Sequence, residues 1–341
     1  MKSYEEIQCF LERLQSEDLA ILLGELVRHG YDRLPLPGQG QTLARWRALA
    51  SVAAHNLSLA KLFEGHTDAL AILAEIGSAE QAAEGTWAVW GAEPPGPRIQ
   101  VRPISRQERF APGDTVLLSG TKFWCSGAHL VDQALITAWL PDGQRCLVAV
   151  AMGQPGIEVT QDGWAAVGMG ASASVDVRLE KASGTLVGCP GDYLRRPGFS
   201  HGGAGVAACW YGASASISRR LLNDSRVAED PHALAHLGAV DVSLSSAATL
   251  LRKTAAQIDA YPLRKWTMEI NRVRLMAEAT AQQVLQRVPR ALGPGPLCKD
   301  RALALLLADL PVFIRQSHAE RDLAVLGQLR VQHKDCSSWS L

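Results

Sequence analysis

Residues able to move a proton or hold an anion are concentrated in RQSHAERD, residues 315–322. His318 has the side chain most often used as a general base, and Glu320 is the nearest carboxylate that could take that role. Arg315 can bind a carboxylate or phosphate through two parallel hydrogen bonds. A further histidine, His201, precedes a Gly-rich segment. These residue types suit proton transfer beside an anionic group, although each is also common on the solvent face of a helix.

Glu64, His66 and Asp68 form a second ionisable group, in the segment KLFEGHTDALAILAEIG. Residues two positions apart point to different sides of a helix, so the pattern does not predict a metal site. Glu64 and Asp68 lie four positions apart and share one face, where they can pair with other charges.

The overall composition excludes several classes of partner. The 34 Lys and Arg residues balance 34 Asp and Glu residues, so no basic field attracts nucleic acid. The N-terminus MKSYEEIQCF carries acids where a secretory signal needs cations, and no run of about eighteen uncharged apolar residues predicts a membrane span. The seven cysteines are scattered without a C-x-x-C pair. We therefore expect a cytoplasmic protein with reduced thiols and no nucleic-acid or membrane partner.

The elements that must position these residues fall into three blocks. Apolar residues recur at helical spacing up to about residue 82, and short β-branched runs between PGD, PDG, QPG and QDG turns follow to about residue 190. Helical patterns rich in Ala and Leu then resume. Segregated blocks predict an α+β fold and argue against the parallel βαβ sheet that binds dinucleotides. The predicted division is an N-terminal helical domain (1–84), a central β domain (85–195) and a C-terminal helical domain (196–341).

Helices are predicted in the last block near 203–222, 232–260, 264–289 and 299–328. The Gly-rich start of the first one, HGGAGVAACWYG, resembles a phosphate-binding helix start, but its small residues are more typical of close packing between helices.

The segment PGDTVLLSGTKFWCSGA, residues 112–128, resembles the strand pair of the acyl-CoA dehydrogenase family that ends in Lys-x-Trp-Ile-Thr-Asn. Two further resemblances follow in the family's order, GWAAVGMGASASVDVRLEKA and RALGPGPLCKDRALALLLADLPVFIRQSHAERD. The order of helices, β domain and helices is also that of the family, so the resemblance covers about residues 40–328. The resemblance implies N-terminal helices, a central β-barrel-like domain and a C-terminal four-helix bundle, assembled as a homodimer or homotetramer.

The resemblance also implies FAD as cofactor. In the family the Trp of the motif packs on the flavin and the following hydroxyl bonds its polar edge, and Ser126 retains such a hydroxyl. The segment AEPPGPRIQ keeps the Glu and Pro of the family's phosphate loop but lacks Gly-Ser-Asp, which leaves Arg98 as a replacement charge. The cofactor-binding positions implied are Trp90, Glu93, Trp124, Cys125, Ser126, Gly293 and Gly295.

The family removes the α-proton of a thioester with a glutamate, and the matching position here holds Ser317, or Gln316 with a one-residue slip. The other helix that carries this glutamate in some members has no acid until Asp224. The candidates left for catalysis are Glu320, His318 and His201. By the same resemblance the candidates for substrate binding are Glu64, His66, Asp68 and Arg315.

The function implied first is α,β-dehydrogenation of an acyl thioester carried by CoA or a carrier protein, with an electron-transfer partner. The alternatives are flavin-dependent oxygenation supplied by a reductase, which needs no α-proton removal, and a catalytically inactive homologue that acts as a binding or assembly partner.

Overall fold

The chain was analysed as a computed structural model, which describes residues 2–14, 16–77, 84–104, 110–333 and 339. It begins with four helices: α1 (Tyr4–Arg13), α2 (Leu19–Arg28), α3 (Thr42–His55) and α4 (Leu57–Ile76). Ser3 and Glu6 form a capping box at α1, and the Asp18 carboxylate accepts from the first turn of α2. Asn56 ends α3 and caps α4 through Leu59 N–H, so these two helices are joined by a single residue.

Seven strands follow: β1 (Trp87–Trp90), β2 (Gln100–Pro103), β3 (Thr115–Cys125), β4 (Gln133–Trp139), β5 (Arg145–Ala151), β6 (Ile157–Val159) and β7 (Val175–Val187). Each β-branched run of the sequence contains one of them. The order β4-β2-β3-β7-β5 closes on itself because β5 also pairs with β4, while β1 and β6 are attached outside this ring. The β-barrel-like domain is therefore confirmed.

The chain returns to helices after β7: α5 (Asp192–Arg195), α6 (Pro197–Leu222), α7 (Pro231–Ala260), α8 (Thr267–Leu292), α9 (Pro294–Lys299), α10 (Arg301–Phe313) and α11 (Glu320–Gln332). The single helix predicted over 299–328 is wrong. It is interrupted at Ile314–Gln316 by a 3₁₀ turn and then by Ser317 in an extended conformation and Ala319 with a positive φ of 46°.

The N-terminal and C-terminal helices share one hydrophobic core, which contains Leu26 and Trp46 as well as Trp210 and Val284. The β domain has its own core. The expected four-helix bundle is thus not set apart, because α3 packs along α6 as closely as α8 does. A Cβ at Gly212 would lie 2.2 Å from the Ala50 carbonyl oxygen, so small residues do allow this approach. The predicted domain boundaries stay a prediction, and residues 78–83 beside the first one lie outside the described residues.

Candidate functional site

Trp124 stands on an irregularity of the barrel wall. The register of β3 against β7 shifts between Lys122 and Cys125, and Trp124 has a positive φ of 57° there. A non-Gly residue in that region is strained, and strained residues are found mainly at functional sites, where the surrounding structure maintains them. The bulge turns the indole outward, where it is 51% exposed. The predicted cofactor residue Trp124 therefore presents a large aromatic face to the outside of the barrel.

Serine hydroxyls line the barrel next to this tryptophan. Ser126 Oγ lies 2.8 Å from Ser174 Oγ, which lies 3.0 Å from Ser172 Oγ. The Trp90 indole N–H donates to the Ser126 carbonyl oxygen at 3.1 Å. The structure thus brings Trp90 and Ser126 together as predicted, but Trp90 is buried and supports the backbone of the motif without reaching its surface.

Glu93 and Cys125 do not have the surroundings expected of cofactor-binding residues. The Lys122 ammonium donates to Glu93 Oε1 at 2.7 Å, and the Trp139 indole N–H donates to Glu93 Oε2 at 3.1 Å. Burial raises the pKa of Glu93, but the hydrogen bonds from Lys122 and Thr137 outweigh burial and lower it. Cys125 is fully buried on the inner side of the bulge, and burial raises its pKa. Glu93 is therefore engaged inside the barrel and Cys125 is closed off from the surface, and the cofactor role of both stays a prediction. Arg98 lies over the Trp139 ring.

RQSHAERD does contain a buried polar site, although a different residue supplies its carboxylate. Ser317 is buried and its hydroxyl donates to Glu278 Oε2 on α8. Glu278 Oε1 accepts from Arg315 Nη2 at 2.5 Å and from Gln282 Nε2 at 3.1 Å. A buried acid therefore faces the position where the family keeps its glutamate, but both of its oxygens are occupied. In the sequence, Glu278 stands out only as a single acid next to the helical positions Ala277 and Ala281, which are buried.

The two catalytic candidates in this stretch point to solvent. His318 is exposed and lies 3.5 Å from Asp322 Oδ1, while Glu320 is exposed in the first turn of α11. Glu320 lies three residues beyond Ser317, so it could replace the family's glutamate on the same helical face only in an unbroken helix, and the break before α11 excludes that arrangement. Arg315 pairs with Glu278 and so is committed within the protein rather than offered to a substrate.

His201 is buried at the beginning of α6. Its Nε2–H donates to the Arg264 carbonyl oxygen at 3.0 Å, which leaves the Nδ1 lone pair buried without a hydrogen-bond partner in the described part of the chain. Burial lowers the pKa of His201, so the ring is neutral at pH 7. Of the three predicted catalytic residues it is the one whose surroundings suit a base.

His66 uses both ring nitrogens within the protein, and its substrate-binding role stays a prediction. Its Nδ1 accepts from the Trp87 backbone N–H at 3.0 Å, so Nε2 carries the proton and donates to Asp32 Oδ2 at 3.2 Å. The ring is 1% exposed and links α4 to β1.

Glu64 and Asp68, by contrast, belong to a group of charges between the helices, which we call the helical charge cluster. Its members come from α3, α4, the start of α6, and α8: Arg45, Lys61, Glu64, Asp68, Arg196 and Arg274. Lys61 pairs with Glu64 at 3.0 Å, and Arg196 lies 3.6 Å from Asp68 and 2.8 Å from Glu75. Burial lowers the pKa of Lys61, but the pairing with Glu64 outweighs burial and raises it.

Two guanidiniums of this cluster have no carboxylate within 4.0 Å among the residues described. Arg45 is 5% exposed and donates to the Pro35 carbonyl oxygen at 3.2 Å. Arg274 donates to the carbonyl oxygens of Gly203, at 2.7 Å, and Gln316, at 3.0 Å. Burial lowers the pKa of both arginines, and the Glu64 charge opposes that effect in each. Sequence patterns missed both residues because neither lies in a recognisable motif.

Gly293 lies in the turn that ends α8, and Gly295 lies just after it in α9. At a rise of 1.5 Å per residue, the turn is roughly 20 Å from Glu278. Within one chain they are not brought to the RQSHAERD site, and their cofactor role stays a prediction.

The other end of α8 opens into a basic pocket of about 530 Å³. Its lining includes four cationic side chains, Arg264, Lys265, Arg272 and Arg330, with the first turn of α8. No side chain in the described part of the chain caps that helix, so its first N–H groups lie beside these cations, and Glu269 of the same turn also lines the pocket. Such an arrangement can bind a phosphate group.

Among the residues that the structure describes, no three His, Cys, Asp or Glu side chains converge as a metal site, and six cysteines are free thiols. Cys336 lies outside them.

Solved structures show a shared fold over nearly the whole chain. The dibenzothiophene monooxygenase TdsC from Paenibacillus sp. A11-2 matches with a TM-score of 0.74 and 18% identity over 97% of each chain. KijD3 in complex with FMN and dTDP-3-amino-2,3,6-trideoxy-4-keto-3-methyl-D-glucose matches with a TM-score of 0.78 and 17% identity, over 97% of this chain and 91% of that one. The methanesulfinate monooxygenase MsuC from Pseudomonas fluorescens matches with a TM-score of 0.73 and 17% identity over 97% of each chain.

No model of a known protein family matches the sequence, and no curated protein matches it. The solved structures, however, show that the chain has the acyl-CoA dehydrogenase-like fold, as the sequence motifs implied.

Proposed function

We propose, from this fold and from the geometry of its polar sites, that the protein is a flavin-dependent oxidoreductase that oxygenates a small polar substrate. Structures with the same fold bind FMN in TdsC and in KijD3, and TdsC and MsuC are monooxygenases. The observation that carries the choice of reaction is the absence, among the described residues at the RQSHAERD site, of a carboxylate free to remove a proton.

The residues around the bulge fit a flavin. The exposed Trp124 face is a platform for a flat aromatic ring, and the Ser126 hydroxyl can donate to a polar ring edge. When bound, the flavin supplies hydride, electron or oxygen transfer. The chain's part is to hold the ring, exclude water and bind the substrate.

Arg264, Lys265 and Arg272 in the basic pocket would hold a phosphate of the cofactor. FAD, expected from the sequence, and FMN, found in the structural neighbours, both bring such a group, and parallel titrations with the two cofactors distinguish them.

Oxygenation is favoured over acyl-thioester dehydrogenation because of what occupies the base position. Ser317 cannot accept an α-proton, and Glu278 beside it is fixed by Ser317 and Arg315. His318 and Glu320 face solvent. A monooxygenase that receives electrons from a reductase needs none of these residues as a base.

The second candidate is the dehydrogenation that the sequence suggested first. Glu278 favours it, because a buried carboxylate beside Ser317 could act as the base if Arg315, which is exposed at its outer end, moved away.

An anaerobic half-reaction separates the two candidates. The flavin-loaded protein is mixed with acyl-CoA thioesters of several lengths, and in a second experiment with NADH and a flavin reductase. We expect no bleaching by the thioesters, reduction through the reductase, and rapid reoxidation in air. Bleaching by a thioester that Glu278→Gln abolishes would reverse the order of the candidates. Failure to bind either flavin would favour the inactive homologue.

We further propose that a second copy of the chain covers α7. This helix is long and apolar enough to cross a membrane by composition, a test that core helices also pass, and 22% of its most apolar window is buried in one chain. Leu234 and Val242 are exposed on it beside Gly238, which gives a smooth apolar face of the kind used between subunits. Light scattering should show a dimer or tetramer, and a monodisperse monomer would contradict this.

A further inference from the structure

Three serine hydroxyls form a connected chain beside the bulge that carries Trp124. Ser126 is half-buried at the outer end of this serine chain, whereas Ser174 and Ser172 are 5% and 1% exposed. The Oγ atoms of Ser126 and Ser174 are 2.8 Å apart, and those of Ser174 and Ser172 are 3.0 Å apart. At the inner end, Ser172 Oγ lies 2.7 Å from the Met169 carbonyl oxygen. The serine chain therefore leads from the outer end near Trp124 to a buried carbonyl group.

The direction of each hydrogen bond in the serine chain follows from its inner end. A carbonyl oxygen only accepts, and each hydroxyl has one proton to donate. Ser172 donates that proton to the Met169 carbonyl oxygen, so it can only accept from Ser174. The proton of Ser174 is then committed to Ser172, so Ser174 can only accept from Ser126. The hydroxyl of Ser126 therefore offers its lone pairs, and not its proton, to a ligand bound at the outer end.

The inner end of the serine chain is held in place by both domains. The Met169 backbone N–H donates to Asp309 Oδ1 on α10 at 2.5 Å, and the Trp164 indole N–H donates to the Met169 carbonyl oxygen at 3.1 Å. Met169 and Ala173 both have a positive φ, of 58° and 39°, a strained conformation that persists only where the surrounding structure maintains it. Since a carbonyl oxygen has no proton to pass on, this fixed chain orients Ser126 but does not conduct protons.

We propose that Ser172 and Ser174 are positioning residues that present Ser126 as a hydrogen-bond acceptor, so that the protein binds reduced flavin more tightly than oxidised flavin. The ring nitrogen N5 of a flavin has a lone pair in the oxidised form and an N–H in the reduced form, and hydrogen bonds to ring nitrogens tune such a cofactor. An accepting hydroxyl suits the N–H and leaves the lone pair unmatched. Ser126 can donate to the ring only after its bond to Ser174 is broken. This preference rests on the proposed flavin function and deepens it, because such a site takes up flavin that a separate reductase has reduced.

The midpoint potential of the bound flavin tests the proposal without turnover. Its difference from the potential of free flavin gives the ratio of the dissociation constants of the oxidised and reduced forms. Full-length protein loaded with FMN, and in parallel with FAD, is reduced anaerobically against a reference dye, and the wild type should have a more positive potential than free flavin. Ser174→Ala removes the acceptor of the Ser126 proton, which can then turn to the oxidised ring. The ratio of the oxidised to the reduced dissociation constant should therefore fall about tenfold.

Ser172→Ala is an independent variant if Ser174→Ala does not fold. It should lower the ratio in the same direction but less, because Ser174 is then free to donate to Ser126 and reverse their bond. Titration with oxidised flavin distinguishes positioning from a merely structural role. Structural damage weakens the binding of both redox forms, whereas loss of the serine chain should tighten the binding of oxidised flavin.

Ser119→Ala is the matched control. Ser119 lies on β3 with Trp124, and its hydroxyl accepts from the Lys181 backbone N–H outside the serine chain, so its loss should leave the ratio unchanged. The proposal is overturned if the wild type prefers oxidised flavin, or if the ratio is unchanged in both Ser174→Ala and Ser172→Ala. A protein that binds neither redox form overturns it together with the proposed function, whereas flavin binding with an unchanged ratio overturns this proposal alone.

Discussion

The β domain and the helical domain each bury a group of charges, and the two groups differ in how many of their charges have a partner of opposite sign. In the barrel, Lys122 donates to Glu93, to the Ala92 carbonyl oxygen and to Thr137, and Glu93 also accepts from Trp139. In the helical charge cluster, Arg45 and Arg274 meet no carboxylate at pairing distance within the described residues. Removing one partner from the closed network of the barrel leaves a buried charge uncompensated, whereas Arg45 and Arg274 depend on backbone carbonyl oxygens as acceptors.

The largest expected effect breaks the closed network. Lys122→Met removes the closest cation of the half-buried Glu93 carboxylate and leaves Arg145, 3.9 Å from Glu93 Oε1, so it should lower the free energy of unfolding by about 3 kcal/mol. Denaturant unfolding measures this loss. Adding Glu93→Gln to the same variant should recover part of the stability, because the carboxylate that lost its closest cation is then neutral. An unchanged midpoint in Lys122→Met would contradict the structural role assigned to this pair.

Asp309 offers an intermediate case, since it closes a contact between the helices and the barrel. It accepts from Met169 N–H at 2.5 Å and from Ser58 Oγ at 3.4 Å. Asp309→Ala should cost about 2 kcal/mol because the Met169 N–H is left buried and unpaired. Asp309→Asn retains an acceptor and should cost much less.

The pH dependence of Asp309 has a definite sign. Burial raises its pKa in the folded protein above the unfolded value of about 4. Its contribution to stability is therefore complete below that value and is lost as pH rises through the folded pKa. The stability of the wild type relative to Asp309→Asn should fall as pH increases from 4, and a flat difference in melting temperature across that range would argue against a raised pKa.

The smallest expected effect on folding comes from the open cluster. Arg45→Met removes a buried guanidinium that lacks a carboxylate partner, so the free energy of unfolding should change by less than about 1 kcal/mol or increase. A loss as large as that of Lys122→Met would erase the contrast between the two regions and would make Arg45 a structural residue.

Sequence patterns predicted the parts of this molecule that depend on local chemistry. Turn signals and β-branched runs located the strands, and the aromatic motif located Trp124, because these follow from neighbouring residues. Glu278 could not be found in the same way, since it lies 39 residues from Ser317, the residue it contacts. The helix also breaks after α10, and no Gly or Pro in RQSHAERD predicts this break. Glu320 therefore begins α11 and does not continue α10, as the sequence alone would suggest.

The acids of the helical charge cluster could be predicted from the sequence, but its arginines could not, for a similar reason. The spacing of Glu64 and Asp68 placed them on one face of α4, whereas Arg45 and Arg274 approach that face through packing of α3 and α8. His66, between the two acids, points to β1 instead and shows why neighbours in sequence need not share a site.

Flavin titration tests directly whether the protein binds a flavin against Trp124. Apoprotein, with Trp124→Ala alongside, is titrated into FMN and into FAD while flavin fluorescence is recorded. We expect saturable quenching by the wild type at one flavin per chain, and weaker binding by Trp124→Ala because the aromatic platform is gone. Flavin fluorescence that stays unchanged with excess wild-type protein, for both cofactors, would contradict this expectation.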